Sequence, residues 1–203
     1  FVIFYDQRGT GLSPRVDIKE LTMASTLSDL SAIIDYYRQD EPVNIIGHSW
    51  GAMLGSAYLG QYPERVNNIV LAEPGFLTPE QALIFQQRTK LSMSLPTMVG
   101  ASKVWYRSNF VNEPDDQASA DYFMTELTMH TPIKNHPMAG YFCDNDLNNA
   151  AITYWRYSKS AAQGIMNSAM DDKGRFTYNF VEGVEQFENK VLLLTGECNS
   201  LIG

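Results

Sequence analysis

The stretch Gly47-His48-Ser49-Trp50-Gly51 decides the fold, because it lies between an apolar run, Val43–Ile46, and a small-residue helical segment, Gly51–Gln61. A G-x-S-x-G sequence between a strand and a helix is typical of a sharp turn that lifts the serine hydroxyl above a sheet. We predict that Ser49 is a nucleophile and that both flanking glycines are needed to avoid clashes. The Trp50 backbone N–H is then a predicted oxyanion donor at the positive end of the helix.

Four short apolar runs predict the sheet around this turn. They are continuous rather than alternating and rich in Val and Ile, which is typical of parallel strands buried on both faces. The alternation of strands and helices indicates a doubly wound α/β fold with helices on both faces. The predicted strands are Phe1–Tyr5, Val43–Gly47, Asn68–Ala72 and Val191–Thr195.

Helix signals separate these strands. Thr26-Leu27-Ser28-Asp29 fits a capping box and predicts a helix start at Thr26. Pro63 predicts that the helix after Ser49 ends near Tyr62, because the residue before proline avoids helical backbone. From residue 78 to 170 only helical patterns follow, which predicts a helical cap inserted into a core of residues 1–77 and 171–203. The predicted cap helices are Pro79–Leu95, Ala118–His130 and Asn148–Met170.

Composition limits the classes of partner. The 203 residues carry 15 basic and 23 acidic side chains, a net charge of −8, which argues against nucleic-acid binding. No apolar run reaches the roughly 18 residues of a membrane span. Cys143 and Cys198 are too few for a disulfide scaffold and lack metal-ligand spacing. We predict a small-molecule or short-peptide substrate, no cofactor and no metal, and the oligomeric state stays open.

Both ends of the sequence lie beside predicted strands. We interpret the chain as an interior segment of a longer protein, with an oxyanion loop expected before Phe1 and a catalytic histidine expected beyond Gly203. Localisation stays open, with the cytoplasm as the default. His48, His130 and His136 are not assigned as the catalytic base.

The loop Asp6-Gln7-Arg8-Gly9-Thr10-Gly11-Leu12-Ser13 follows the first predicted strand, and its glycines favour a tight turn. We expect it to shape a pocket floor rather than to act in catalysis. Together with G-x-S-W-G and Tyr62-Pro63-Glu64-Arg65-Val66, it resembles the prolyl-iminopeptidase branch of the α/β-hydrolases. That resemblance implies an α/β-hydrolase fold with a helical lid, and a Ser–His–Asp triad that releases an N-terminal residue, usually proline, through an acyl-enzyme.

The triad acid is where the sequence departs from that pattern. The resemblance expects G-x-x-D after the last strand seen here, but Gly196-Glu197-Cys198-Asn199 puts Asn199 at the acid position. An asparagine cannot stabilise an imidazolium by charge, a loss of about 10⁴ in turnover in chymotrypsin-type enzymes. Glu197 could serve instead, although it is expected to point the wrong way. Glu73, directly after Asn68–Ala72, is the third candidate.

The leading hypothesis is a serine hydrolase acting by acyl transfer, most like an aminopeptidase of the proline-iminopeptidase type. A carboxylesterase or lipase-like ester hydrolase is the first alternative. A non-catalytic binding protein on the same fold is the second, because Asn199 permits it. In the resembling peptidases lid carboxylates hold the substrate amine, and the corresponding candidates here are Glu126, Asp144 and Asp146.

Overall fold

The computed structural model describes residues 1–38, 41–90, 94–127, 137–143 and 157–201. Within these ranges three parallel strands form one sheet in the order β1-β2-β3. The register pairs His48 with Ala72 and Ala72 with Leu194, so the carboxyl ends of all three strands meet at one edge. The strands are β1 (Val43–His48), β2 (Val66–Ala72) and β3 (Val191–Leu194), which confirms three of the four predicted ones.

Helix α2 (Trp50–Gln61) connects β1 to β2 and packs directly on the sheet. Close approach is possible because Gly55 faces the strands: a Cβ there would lie 3.3 Å from Ile69 and 3.4 Å from Ile45. Tyr58 and Leu59 on this helix are fully buried. The β1–α2–β2 unit therefore gives the turn at Ser49 a rigid base.

Burial on both faces of the sheet was wrongly predicted. Ile46 of β1 is 80% exposed and Leu193 of β3 is 57% exposed. The physical reason is the strand order: right-handed crossovers that always advance in one direction put their helices on the same face. Helices on both faces require a reversal of strand order, and the described strands contain none.

The predicted first strand is also wrong. Residues 1–5 form no strand, and Phe1 and Phe4 are more than 90% exposed. A strand exists only where a neighbour accepts and donates its ladder hydrogen bonds, and the described part of the chain pairs β1 with β2 alone. An apolar run shows the tendency to be buried but does not supply that neighbour.

Helix α1 (Met23–Arg38) begins one turn earlier than predicted. The reciprocal cap is made by Thr22 and Ser25: each hydroxyl accepts from the other residue's N–H, at 3.1 and 3.0 Å. Thr26 lies inside the helix and donates its hydroxyl to the Thr22 carbonyl. Asp29 pairs with an arginine of the preceding loop instead of capping Thr26.

Between β2 and β3 the described residues are mainly helical and contain no further strand of the sheet. The predicted helix Pro79–Leu95 ends at Arg88, and a new helix starts at Leu95, where the Ser94 hydroxyl caps the first turn. Residues 148–156 of the third predicted helix lie outside the described residues. The helices here are α3 (Pro79–Arg88), α4 (Leu95–Ser108), α5 (Ala118–Thr125) and α6 (Lys159–Ser168).

One core joins these parts. It contains apolar side chains of α1, α2 and β2, together with Ile165 of α6 and the loop residues Phe76 and Phe180. None of the helices described is both long and apolar enough to cross a membrane. That residues 78–170 act as a cap remains a prediction.

Candidate active site

Ser49 occupies the turn between β1 and α2 with φ 52° and ψ −116°. A non-glycine residue with positive φ costs about 1–2 kcal/mol, so the surrounding structure must hold it there. Its N–H donates to the Ala72 carbonyl at 2.9 Å, and its carbonyl accepts from Ala52 and Met53 at 3.0 and 3.2 Å. These bonds to β2 and α2 fix the predicted nucleophile at the carboxyl edge of the sheet.

The two glycines that flank Ser49 are not equivalent. A Cβ on Gly47 would lie 2.3 Å from the Gly51 carbonyl oxygen and 2.6 Å from the Ala52 nitrogen, both backbone atoms. A Cβ on Gly51 would meet nothing within 4 Å. The prediction that both glycines prevent clashes is thus wrong for Gly51, because the first turn of α2 points that position into open space.

We expect Gly47→Ala to destabilise the protein by about 1–3 kcal/mol, the usual cost of forcing extra volume into a packed site. Gly51→Ala is the matched control and should lower the free energy of unfolding by no more than about 0.5 kcal/mol. Denaturant titration of both variants measures the difference. Equal stability of the two variants would contradict the close approach at Gly47.

Trp50 is held on two sides. Its indole Nε1 donates to the Gln7 side-chain oxygen at 3.0 Å, and its ring packs edge-on against Phe180 at 6.1 Å. Gln7 and Trp50, which belong to two of the motifs behind the resemblance to peptidases, therefore contact each other. The Trp50 N–H opens α2, where the first amides of a helix have no intrahelical acceptor. Its role as an oxyanion donor remains a prediction.

The loop of residues 6–13 is held together by its own side chains. The Asp6 carboxylate accepts from the Leu12 N–H at 2.8 Å, and the Ser13 hydroxyl donates to the Asp6 carbonyl at 2.6 Å. Arg8 makes a two-pronged ion pair with Asp29 of α1 at 2.6 and 2.5 Å. These bonds give Asp6 and Arg8 structural roles, which agrees with the expectation for this loop.

Glu73 is the other described non-glycine residue with positive φ, at 50°. Its N–H donates to the Leu194 carbonyl at 2.8 Å, which places it between the ends of β2 and β3. One carboxylate oxygen, Oε1, accepts from the Gly196 N–H, and the other, Oε2, accepts from the Asn199 side-chain amide. The backbones of Ser49 and Glu73 thus lie at the ends of two adjacent, paired strands.

The structure distinguishes the three candidates for the triad acid. Glu73 and Asn199 are partly buried and contact each other, whereas Glu197 is exposed in the turn that connects β3 to Asn199. Asn199 also accepts the Leu201 N–H at 3.0 Å through its side-chain oxygen. Sequence reasoning named both partners but had no signal for their contact.

A disulfide joins Cys143 to Cys198, immediately before Asn199. The sequence prediction missed this bond, because 55 positions separate the cysteines and only the fold brings them together. Closing a loop of that length stabilises a protein by about 2–4 kcal/mol. Localisation remains a prediction.

Two partly buried tyrosines have raised pKa values. Burial, and then the negative charge of Glu73, raise the pKa of Tyr141. Burial and the charge of Asp29 raise the pKa of Tyr5 to about 12. Both phenols therefore stay protonated at neutral pH and can donate hydrogen bonds.

His48 lies at the carboxyl edge of the sheet, because it is the last residue of β1, but it is exposed. Glu126 lies at the C-terminal end of α5. His130, His136, Asp144 and Asp146 lie outside the described residues. Across the ranges that the structure describes, no three His, Cys, Asp or Glu side chains form a group able to hold a metal ion.

Two known proteins are similar to part of this chain. A cis-3-alkyl-4-alkyloxetan-2-one decarboxylase of Shewanella oneidensis is 33% identical over 72 residues, 34% of this chain and 23% of the relative. A proline iminopeptidase of Heyndrickxia coagulans is 35% identical over 79 residues, 38% of this chain and 27% of the relative. The match thus spans about a quarter of the length of each.

Among solved structures, an epoxide hydrolase of Bacillus megaterium superposes with a TM-score of 0.48 at 12% identity, over 95% of this chain and 74% of its own. The family model described as the alpha/beta hydrolase fold matches residues 1–101. That region contains the loop of residues 6–13, the β1–Ser49–α2 turn and β2. On this match and on the geometry of the turn, the chain belongs to the α/β-hydrolase superfamily.

Proposed function

We propose that this protein is a serine hydrolase that transfers an acyl group to Ser49, and that it releases N-terminal residues from short peptides. The observation that carries the proposal is the left-handed backbone of Ser49 at the start of α2. Such a conformation costs free energy, and strained residues of this kind are concentrated at active sites. A nucleophilic serine in a strand-to-helix turn is one example.

The proposed reaction has two halves. The Ser49 hydroxyl oxygen bonds to the substrate carbonyl carbon while a histidine takes the hydroxyl proton. The C–N bond then breaks, and the departing amine takes that proton. Water attacks the resulting ester and gives a proton to the same base. The ester C–O bond then breaks, the released acid leaves, and the base returns the proton to the Ser49 oxygen. The Trp50 N–H would donate to the negatively charged oxygen in both halves.

The base is not assigned to His48, His130 or His136. The acid partner of the base is proposed to be Glu73, because it is partly buried, lies one strand from Ser49 and accepts two hydrogen bonds from the loop after β3. A bound carboxylate in this position can orient an imidazole and stabilise its protonated form.

Peptide substrates are favoured by the resemblance of the motifs that contain Gln7 and Trp50 to those of prolyl iminopeptidases and by the partial match to a proline iminopeptidase. The match to a decarboxylase over a similar length shows that the shared region occurs with more than one reaction. The helices between β2 and β3 are proposed to form a cap over the carboxyl edge of the sheet, where ligands of open α/β sheets bind.

The substrate test compares L-proline p-nitroanilide with p-nitrophenyl butyrate in the full-length protein. We expect kcat/KM for the nitroanilide to fall below detection in Ser49→Ala and to exceed that of an N-acetylated proline nitroanilide by at least tenfold. The free amine is the group that an aminopeptidase must bind. Hydrolysis of the ester alone, dependent on Ser49, would instead assign the protein as a carboxylesterase.

A fluorophosphonate probe separates both enzymes from a binding protein. Attack by the Ser49 oxygen forms an O–P bond, expels fluoride and passes the hydroxyl proton to the base. Mass spectrometry should find the adduct on the peptide that contains Ser49. A folded protein that stays unlabelled would support a non-catalytic binding protein on the hydrolase fold.

A further inference from the structure

We propose that Asn199 is a positioning residue for Glu73: its side-chain amide donates to the carboxylate and fixes the orientation of the triad acid. This inference rests on the proposed function and assigns a role to the residue that stands in place of an expected aspartate. The acid has moved from the loop after β3 to the end of β2, and the vacated position has become its support.

The hydrogen bonds of Asn199 determine which way its amide faces. The side-chain oxygen accepts from the Leu201 N–H at 3.0 Å, so the NH₂ group is the one turned towards Glu73 Oε2. The Gly196 N–H holds the other oxygen, Oε1. A Cβ on Gly196 would lie 2.8 Å from that oxygen, so a glycine permits this close approach.

Glu73 keeps acceptor capacity for an imidazole. A carboxylate has about four lone-pair sites, and the two donors described use two of them. Both donors come from the loop after β3, so they fix the plane of the carboxylate without filling all of its acceptor sites. The Glu73 backbone is itself held to β3 through the Leu194 carbonyl.

The loop that carries Asn199 is fastened on several sides. Cys198 is bonded to Cys143, and the Ser200 N–H donates to the Gly140 carbonyl at 2.9 Å. The Arg88 guanidinium at the end of α3 donates to the Ser200 and Leu201 carbonyls at 3.3 and 3.4 Å. The amide is therefore held in place before any substrate binds, as a positioning group must be.

The first test removes the donor to Glu73, together with the acceptor for the Leu201 N–H, while keeping the branched shape of the side chain. We expect Asn199→Leu to lower kcat about tenfold, with KM within twofold of wild type, because Glu73 would lose orientation rather than the substrate losing contacts. In a Glu73→Gln background the same change should have less than a twofold effect, since there is no carboxylate left to orient. Fluorophosphonate labelling rates extend this comparison to variants with little turnover.

The second test is Asn199→Asp, for which two assignments predict opposite results. If position 199 held the triad acid, the new carboxylate would raise kcat. If Asn199 positions Glu73, the two carboxyls would share one proton: the protonated form can still donate to Glu73 at low pH, and two repelling charges face each other once it ionises. We expect the ratio of variant to wild-type kcat to fall as pH rises from 5 to 9.

The other groups around this pair do not explain such a fall. The pKa of the Tyr141 phenol is raised by burial and by the charge of Glu73, so Tyr141 stays protonated over most of this range. The Arg88 guanidinium donates to the Ser200 and Leu201 carbonyls, and the Glu197 carboxylate is exposed. Dividing the variant kcat by the wild-type kcat at each pH cancels the titration of the catalytic histidine, because both proteins contain it.

Three results would overturn the proposal: a higher kcat in Asn199→Asp, an equal loss from Asn199→Leu with and without Glu73, or no loss from Asn199→Leu. If wild-type Ser49 still reacts with the probe in those cases, only the role of Asn199 fails. If wild-type Ser49 does not react, the proposed hydrolase itself fails. Thermal unfolding of each variant identifies any that has simply lost its fold.

Discussion

Ser49→Ala is expected to reduce turnover of the substrate by about 10⁶, the loss seen when the nucleophile of a serine hydrolase is removed. Without the hydroxyl no acyl-enzyme can form, and water in the site lacks the orientation that a bonded nucleophile has. The substrate should still bind, so KM or an inhibitor dissociation constant should change little. Stopped assays at high enzyme concentration, with labelling by the fluorophosphonate probe, measure both.

Stability separates loss of chemistry from loss of fold. Alanine has the same difficulty as serine with φ 52°, so Ser49→Ala should unfold at the wild-type temperature. Ser49→Gly also removes the hydroxyl but adopts positive φ without steric cost, so it should be more stable than Ser49→Ala. A Ser49→Ala variant with at least a hundredth of wild-type turnover would exclude Ser49 as the nucleophile.

The parts of this site that could be predicted from sequence are those built from contiguous residues. The apolar run Val43–Ile46, the serine turn and the small-residue helix follow each other directly, and local preference and tertiary packing favour the same structure there. The turn at Ser49, helix α2 and the neighbouring strand β2 were accordingly predicted to within a few residues.

The parts that could not be predicted depend on pairing across the chain. Phe1–Tyr5 has the composition of a strand, but no described strand neighbours it, and its first four residues are exposed. Gly51 fits the motif as well as Gly47 does, but only the direction of the first turn of α2 shows that its Cβ would be free. Motif spacing describes neither strand partners nor the direction of a Cα–Cβ bond.

The acid position shows the same limit at the level of chemistry. From the sequence, Asn199 replaces an expected aspartate and its negative charge, because the sequence gives the position of a residue but not its neighbours in space. The structure shows that a carboxylate, Glu73, lies against its amide. The disulfide between Cys143 and Cys198, which fastens the same loop, likewise depends on a contact across 55 positions.

Glu73→Gln is expected to lower kcat by about 10⁴, the effect of replacing the triad aspartate by asparagine in a chymotrypsin-type enzyme. The glutamine keeps the shape of the side chain and one acceptor, but it cannot stabilise a protonated histidine by charge. Its NH₂ group would also face either the Gly196 N–H or the Asn199 amide, both of which are donors. One of those donors would lose its partner, at about 1–3 kcal/mol.

Glu197→Gln is the matched control, because it makes the same chemical change within the loop that carries both donors to Glu73, Gly196 and Asn199. Glu197 is exposed and lies outside the contact between Glu73 and Asn199, so its kcat and unfolding temperature should match wild type. Steady-state kinetics of the two variants at one pH, with thermal unfolding of each, decide between the two carboxylates. Near-normal turnover in Glu73→Gln would eliminate it as the acid, and a large loss confined to Glu197→Gln would move that role to the turn after β3. The expected result, a loss confined to Glu73→Gln, would mean that the acid stands at the end of β2, one strand from the serine that it serves.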